Sequence, residues 1–375
     1  MKKARLILNA VVFCLVIAFF SGAFLILPDK EMSKAERRPL KQFDEVTDGD
    51  KHPFEEIEDY LLDQFPMRDT FRGLKTFLFV DVLKKNENNN LYKHEGSVVE
   101  IQDKLDETQV EYAADLINKV IDKYFSDDDI FYSIVPDKHF YASKENGYPA
   151  MDYEKMFSIM AQKLEDAEYI DITDKLEISD YYKTDSHWSQ DKILDVADKL
   201  VSSMNGGGTT IIPDGEEFKV NTLSPFYGVY CGQWAMPLKP DEIKYLSSDK
   251  TDALKMTVID DMGKKHEYPV YVTEMFKNND PYDLFAAGAQ HLVIIENPNA
   301  ENDKELVVFR DSFGSSIAPL LSLGYSKVTF VALRYIIPDF IKQISGFGDD
   351  PDVLFLYSTG LLNGGRILKD FHSLS

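Results

Sequence analysis

Two cysteines in 375 residues are too few for a disulfide framework, and their positions exclude even one bridge. Cys14 lies inside an apolar run and Cys231 far down a mixed chain, so they share no folded environment and the fold depends on its core. Positive charge is scarce as well. With 41 basic against 64 acidic residues the formal charge is −23, spread along the chain as a solvated exterior. Such a surface repels nucleic-acid phosphates and anionic headgroups, which excludes a nucleic-acid partner. Only 7 histidines occur, with no His-x-His pair and no third ligand at zinc spacing, so neither a metal nor a cofactor is expected. The acidic stretch 126–131, "SDDDIF", lacks the Gly and terminal Glu of a calcium loop and reads as a solvated turn. No internal repeat is present.

What is present begins with a long apolar run. Lys2, Lys3 and Arg5 precede Leu6–Leu27, 22 residues that as a helix extend about 33 Å, enough to cross a bilayer's hydrocarbon core. The basic flank favours keeping the N-terminus in the cytoplasm and the rest of the chain outside. Ser21-Gly22-Ala23 resembles a signal-peptidase site, but Phe24-Leu25-Ile26-Leu27 continues the apolar run past it, which favours an uncleaved single-pass anchor. The sequence therefore divides into an N-terminal membrane anchor (1–28), a charged juxtamembrane linker (29–50) and one extracytoplasmic domain (51–375).

From Phe54 to Leu83 apolar residues recur at helical spacing, interrupted at Pro66. Leu91-Tyr92 and Val98-Val99 flank a His-Glu-Gly turn and predict a hairpin. Helical patterns over 110–124, 153–167 and 190–204 then alternate with short apolar strands at 130–136, 169–172, 255–259, 269–273, 291–295, 305–309, 327–333 and 352–357. Uninterrupted apolar strands between helices predict an α/β fold with a mainly parallel sheet flanked by helices. The Gly- and Pro-rich region 205–285 predicts an insertion or antiparallel strands at the sheet edge.

Two stretches carry chemistry. "TDSHW" (184–188) places Asp185 two residues before His187, so that both side chains can leave one face of an extended or turning backbone. "ELVVFRDSFGSSIAPLL" (305–321) reads as a buried strand, a break at Asp311–Gly314 and a helix starting near Ser316, with Pro319 in its first turn. Ser312 then stands at the carboxyl end of a strand and before a helix N-terminus, where ligands collect in open α/β sheets and backbone N–H groups can face an oxyanion. A serine hydroxyl needs a base, and His187 oriented by Asp185 supplies one. Trp188 either walls the site or anchors the following helix. Against this stand plainer readings: Asp-x-His as a turn, Ser316 as a helix cap, Lys138 and His139 as surface residues after a strand. Tyr227, Tyr230 and Trp234 offer either a sugar-stacking platform or core.

"TDSHW" followed by "RDSFGSS" resembles the DHHW family, the branch of SGNH hydrolase-like proteins that includes the alginate O-acetyltransferases. "LLDQFPMRDTF" (61–71), "ENNNLYKHEGSVVE" (87–100), "VPDKHFY" (135–141), "DPYDLFAAG" (280–288) and "LRYI" (333–336) are similar in the same order, so the resemblance covers roughly residues 50–365. It implies an SGNH-like fold and a Ser312, His187, Asp185 triad. Arg334 matches a family arginine near the site, and Tyr357 is a second polar contact. The chain departs from the pattern at Arg310, where a glycine is typical, and at Ala289, where an asparagine is common.

The function this implies is a membrane-anchored O-acyltransferase, O-acetyl by the resemblance, modifying a cell-surface polysaccharide through an acyl-serine. Because acetyl-CoA is not available outside the membrane, a membrane-bound O-acyltransferase partner is implied as the source of acyl groups. The alternatives are a carbohydrate esterase with the same triad, and a non-catalytic carbohydrate-binding or scaffold protein.

Overall fold

The structure, a computed structural model, describes residues 2–46, 53–125, 128–212, 218–260, 262–333, 348 and 350–364. Two compact units result, Met1–Asn89 with Val229–Leu238, and Asn90–Gly228 with Lys239–Ser375. Residues 51–89 thus group with the N-terminal unit.

In that unit the apolar run forms helix α1 (Lys2–Ile26), long and apolar enough to cross a membrane, with a mean hydropathy of 2.5. Helices α2 (Pro53–Asp63) and α3 (Arg68–Thr76) flank Pro66, which lacks the N–H to continue a helix, and Met67 takes the left-handed conformation at the corner. Residues 29–46, read as a linker, are structured. Met32–Ser33 pairs antiparallel with Arg38–Pro39, and Glu36, Arg38, Asp63, Arg68 and Arg72 form a network of ion pairs.

The larger unit begins with a hairpin, β1 (Leu91–His94) and β2 (Ser97–Glu100), turned by Glu95 and Gly96 at positive φ. Helix α4 (Glu107–Tyr124) leads to β3 (Ile130–Val135), and α5 (Lys138–Asn146) and α6 (Tyr153–Lys163) precede β4 (Glu168–Tyr169). Helix α7 (Leu194–Met204) follows the Asp-His block. A separate antiparallel pair, β5 (Lys219–Phe226) and β6 (Asp241–Ser247), comes next. Strands β7 (Lys255–Ile259), β8 (Lys265–Tyr268), β9 (Leu292–Glu296), β10 (Glu305–Arg310), β11 (Lys327–Val331) and β12 (Asp352–Ser358) complete the main sheet. Helix α8 (Phe313–Leu321) leaves β10, and α9 (Thr359–Asn363) leaves β12.

The sheet is mixed. Its order is β8-β7-β9-β11-β10-β12-β3-β4. The pairs from β11 to β4 are parallel, and those joining β8, β7, β9 and β11 are antiparallel. The expected parallel arrangement holds for four of the seven pairings, and the antiparallel edge strands expected within 205–285 are β7 and β8; the antiparallel setting of β9 was not expected, because strand direction leaves no mark in apolar periodicity. Side chains alternate between two core layers: Leu306, Val308, Leu354 and Leu356 face α7, α8 and the Asp-His block, whereas Val307, Phe309, Val353 and Phe355 face α4 and α6. Two element readings also change. Residues 269–273 form no strand; Tyr271 is tied to Leu246 O at 2.6 Å and to Gln190 at 2.7 Å, and Thr273–Lys277 is a 3₁₀ turn. Helix α8 starts at Phe313 instead of Ser316, because Asp311 Oδ1 accepts from Phe313 N and begins the turn early.

Candidate active site

The block 181–188 is a narrow hairpin. Tyr181 bridges Trp188, and Tyr182 N–H donates to His187 O at 3.0 Å, which brings Asp185 and His187 onto the same loop. The tip is held from several sides. The Asp241 carboxylate accepts from Lys183 N, Thr184 N and Thr184 Oγ1 at 3.2, 2.7 and 2.6 Å. Gly228 N donates to Thr184 Oγ1, and a Cβ at Gly228 would lie 2.1 Å from Thr184 O and 2.6 Å from Asp185 Cβ, so only glycine fits there. Lys138 Nζ, on the first turn of α5, donates to Val98 O and to Tyr182 O.

Within this frame His187 Nδ1 lies 2.7 Å from Asp185 Oδ1, and His187 Nε2 lies 2.8 Å from Ser312 Oγ. An ionised carboxylate only accepts, so Nδ1 carries the proton and Nε2 offers a lone pair to the serine hydroxyl. Asp185 is buried, His187 partly so, and Ser312 is exposed. The structure therefore brings the three residues into one hydrogen-bonded chain that opens to solvent at the hydroxyl.

The imidazole is also clamped by rings. Tyr282 stacks on it, with centroids 4.1 Å apart and planes 16° apart, and Phe313 lies 5.0 Å away on a tilt. Behind them, buried Ser316 Oγ accepts from Trp188 Nε1 and from Tyr282 Oη, both at 2.8 Å. Burial holds the Tyr282 hydroxyl well above the usual phenol range, so it stays a donor. Ser316 is thus not a helix cap but the joint between three sequence-distant segments, and the sequence reading missed it together with Tyr282. The one available signal was the quoted "DPYDLFAAG" segment, to which no role was given. Ser316→Ala leaves two buried donors without an acceptor and is expected to cost about 2–6 kcal/mol of stability, read as a lowered denaturant midpoint.

The turn that carries Ser312 is braced through Asp311, whose Oδ1 accepts from Phe313 N at 3.0 Å and whose Oδ2 accepts from Ser358 N at 2.8 Å, tying β10 to β12. Arg310, the departure from the family pattern, does not disturb this turn. It is buried and donates to Ser315 Oγ at 2.9 Å, Asp311 O at 3.3 Å and Gln290 O at 3.1 Å. A Cβ at Gly314 would lie 2.6 Å from Arg310 Cβ, so the glycine there admits the arginine's stem.

Other expected site residues stand elsewhere. Trp188 is wholly buried, bonded to Ser316 and edge-on to Phe313 at 5.3 Å, so it anchors α8 from behind instead of lining an open surface. Tyr357 lies in the core layer shared with α4 and α6, on the sheet face opposite Trp188, and its hydroxyl has no hydrogen-bond partner among the described residues. Arg334 lies outside the described residues. His139 is buried between Tyr92 Oη and Pro149 O, a core histidine instead of a surface one. Tyr230 and Trp234 are buried too, which leaves no three-ring platform.

Lys138 is a buried amine bonded to the back of the Asp-His hairpin at Tyr182 O. Burial pushes its ammonium down to about 7 from the ordinary 10.5, against the opposing pull of Asp185 and Asp241. Below about pH 7 the amine is charged whether the chain is folded or unfolded, and its full burial cost is felt; as pH rises towards 10.5 only the unfolded amine stays charged, and the cost fades. Stability contributed here therefore rises with pH across that window. Lys138→Met is expected to flatten the rise, measured as the difference in Tm between variant and parent from pH 7 to 10.

No protein-family model matches the chain, and no curated protein does. Solved structures do. A DHHW family protein from Eubacterium siraeum superposes with a TM-score of 0.58 at 21% identity, covering 75% of this chain and 95% of that one. PatB1 from Bacillus cereus gives 0.58 at 18% identity over 74% of this chain and 98% of its own, and its sulfonyl adduct gives 0.56 at 18% over 74% and 97%. The chain thus shares its fold with the DHHW family protein and with PatB1.

Proposed function

We infer that the chain is an O-acyltransferase that moves an acyl group, acetyl by the family resemblance, onto hydroxyls of a cell-surface polysaccharide. The observation that carries this reading is the unbroken Ser312–His187–Asp185 hydrogen-bond chain with its hydroxyl end exposed. In the first half-reaction His187 Nε2 takes the Ser312 proton as Oγ attacks the acyl carbonyl; the tetrahedral intermediate collapses, the donor's leaving group receives that proton, and an acyl-serine remains. In the second, His187 deprotonates a sugar hydroxyl, which attacks the acyl carbon and releases Ser312 Oγ, reprotonated by His187. Asp185 holds Nδ1–H and stabilises the imidazolium formed in each half.

The oxyanion needs donors. Among the described residues the amides of Phe313, Gly314 and Ser315 already donate, to Asp311 Oδ1, Asp311 O and Ser312 O, which leaves the Ser312 amide for the developing charge. Ala289 adds no side-chain donor. With α1 as an anchor and the catalytic unit outside the cell, activated acyl groups have to arrive through a membrane-bound O-acyltransferase partner, and no cofactor is required.

An esterase using the same residues is the second reading, favoured by the exposure of Ser312, which admits water. The full-length protein in detergent, given an activated acetyl ester with and without oligosaccharide acceptors, separates the two. Acetylated oligosaccharide at the expense of free acetate supports transfer. Free acetate at an unchanged rate with no acetylated sugar overturns transfer in favour of hydrolysis.

A further inference from the structure

Exposed apolar side chains are distributed unevenly along the chain. Thirteen large ones stand exposed between residues 43 and 83, against five across all described residues from 84 onward. A soluble surface scatters such groups singly, whereas a contiguous set marks an interaction face. Here they line α2, the corner at Pro66, α3 and the π-helical turn Phe77–Val82, including Phe54, Leu62, Met67, Leu74 and Val82. The same helices are polar on their other side, where Asp63, Arg68 and Arg72 close the ion-pair network with Glu36 and Arg38 and are largely shielded. The segment is therefore amphipathic: Asp63, Arg68 and Arg72 pair inward, while Glu55, Glu58, Asp69, Lys75 and Asp81 stay exposed to the solvent or headgroup side.

The apolar face is continuous with α1. Phe20 stacks on Phe65 at 5.4 Å and meets Phe71 edge-on at 5.5 Å, those two rings are 5.7 Å apart, and Phe24 meets Tyr60 at 5.8 Å. If hydrocarbon begins after Arg5, a core of about 30 Å takes up roughly 20 helical residues and ends near Leu25. Phe20 then lies about 8 Å inside the outer boundary. Rings in van der Waals contact with Phe20 have to lie at a similar depth. That depth matches helices that lie in an interface plane with one face in the acyl region.

We propose that the α2–α3 corner is a membrane-embedded wedge, its Phe65–Met67–Phe71 apex inserted into the outer leaflet of the bilayer that α1 crosses. This rests on α1 being a retained anchor. The wedge presents apolar surface with little positive charge, so it binds through acyl-chain burial, independently of anionic headgroups.

The test uses the full chain in phosphatidylcholine nanodiscs, with Cys14 and Cys231 replaced by serine and a single NBD-labelled cysteine introduced as Met67→Cys, Leu74→Cys, Leu15→Cys within α1 or Tyr112→Cys on α4. Doxyl-labelled lipid is expected to quench the Met67 and Leu74 probes several-fold more than the Tyr112 probe, equally in neutral and anionic lipid. Quenching at Leu15 with none above the Tyr112 level at Met67 and Leu74 leaves the anchor standing and overturns the wedge. Quenching at none of the four positions overturns the anchor reading and the wedge with it. A blue-shifted Met67 probe that doxyl lipid does not quench means that protein, such as a second copy of the chain, covers the face, and this also overturns the proposal.

Discussion

Ser312→Ala is expected to abolish covalent labelling by a sulfonyl fluoride and to lower acyl turnover by a factor on the order of 10⁶, leaving only what binding and backbone donors provide. The fold should be untouched. Ser312 is exposed, and among the described residues its side chain makes no capping bond to α8 and its Oγ is hydrogen-bonded only to His187. A purely structural serine at this strand-to-helix turn predicts the reverse: labelling unchanged and stability lowered by about 1 kcal/mol for a lost cap. Thermal unfolding and probe labelling on the same preparation separate these outcomes without knowledge of the natural donor or acceptor. A sulfonyl reagent is a reasonable probe because PatB1, whose fold this chain shares, has been solved with a sulfonyl adduct.

The second large effect is expected at Asp185→Asn. The substitution keeps the size and most of the packing of a buried side chain that accepts from both His187 N, at 3.2 Å, and His187 Nδ1, at 2.7 Å. The amide can instead offer an N–H to Nδ1, which moves the ring proton to Nε2 and points a donor, where a base is needed, at Ser312. Turnover is expected to fall about 10⁴-fold. The imidazole should stay in place, because Tyr282 stacking and the Tyr182 N–H to His187 O bond do not depend on the carboxylate. Labelling by the sulfonyl probe slows accordingly, and Tm shifts far less than in Ser316→Ala. An Asp185→Asn protein with parental turnover removes the carboxylate from the mechanism.

The part of the site visible in the sequence is the part whose chemistry is local. Asp185 and His187 are two residues apart, and a hydroxyl before a helix N-terminus at a strand end is a position that the pattern of apolar and small residues marks. What the sequence hides is assembled across distance. Ser316 joins Trp188, 128 residues upstream, and Tyr282, 34 upstream, through hydrogen bonds to which no periodicity points. Lys138 reaches Val98 and Tyr182 from the end of β3 in the same way. Tyr357 was expected as a polar contact beside the family resemblance, but alternation along β12 turns its ring to the face away from Trp188.

The fold divides along the same line. The strands of the parallel half, β3, β10, β11 and β12, are legible as short apolar runs between helical patterns, and the edge carrying Ser312 follows from them. Antiparallel strands at the sheet edge were expected within 205–285, where β7 and β8 stand, whereas the direction of β9, an apolar run like those of the parallel half, leaves no mark in its composition. The charged segment after α1 looked like a solvated tether because its charges face one another only once Glu36 and Arg38 meet Asp63, Arg68 and Arg72.

The acyl group is expected to be carried on Ser312 Oγ. Incubating the full-length protein briefly with an activated acetyl ester, quenching in acid and mapping the digest by mass spectrometry tests it most directly. The predicted result is one acetyl group on the peptide containing Ser312, absent from Ser312→Ala and strongly reduced in His187→Ala. Acetylation that survives in Ser312→Ala, or that falls on another residue and turns over from there, contradicts it.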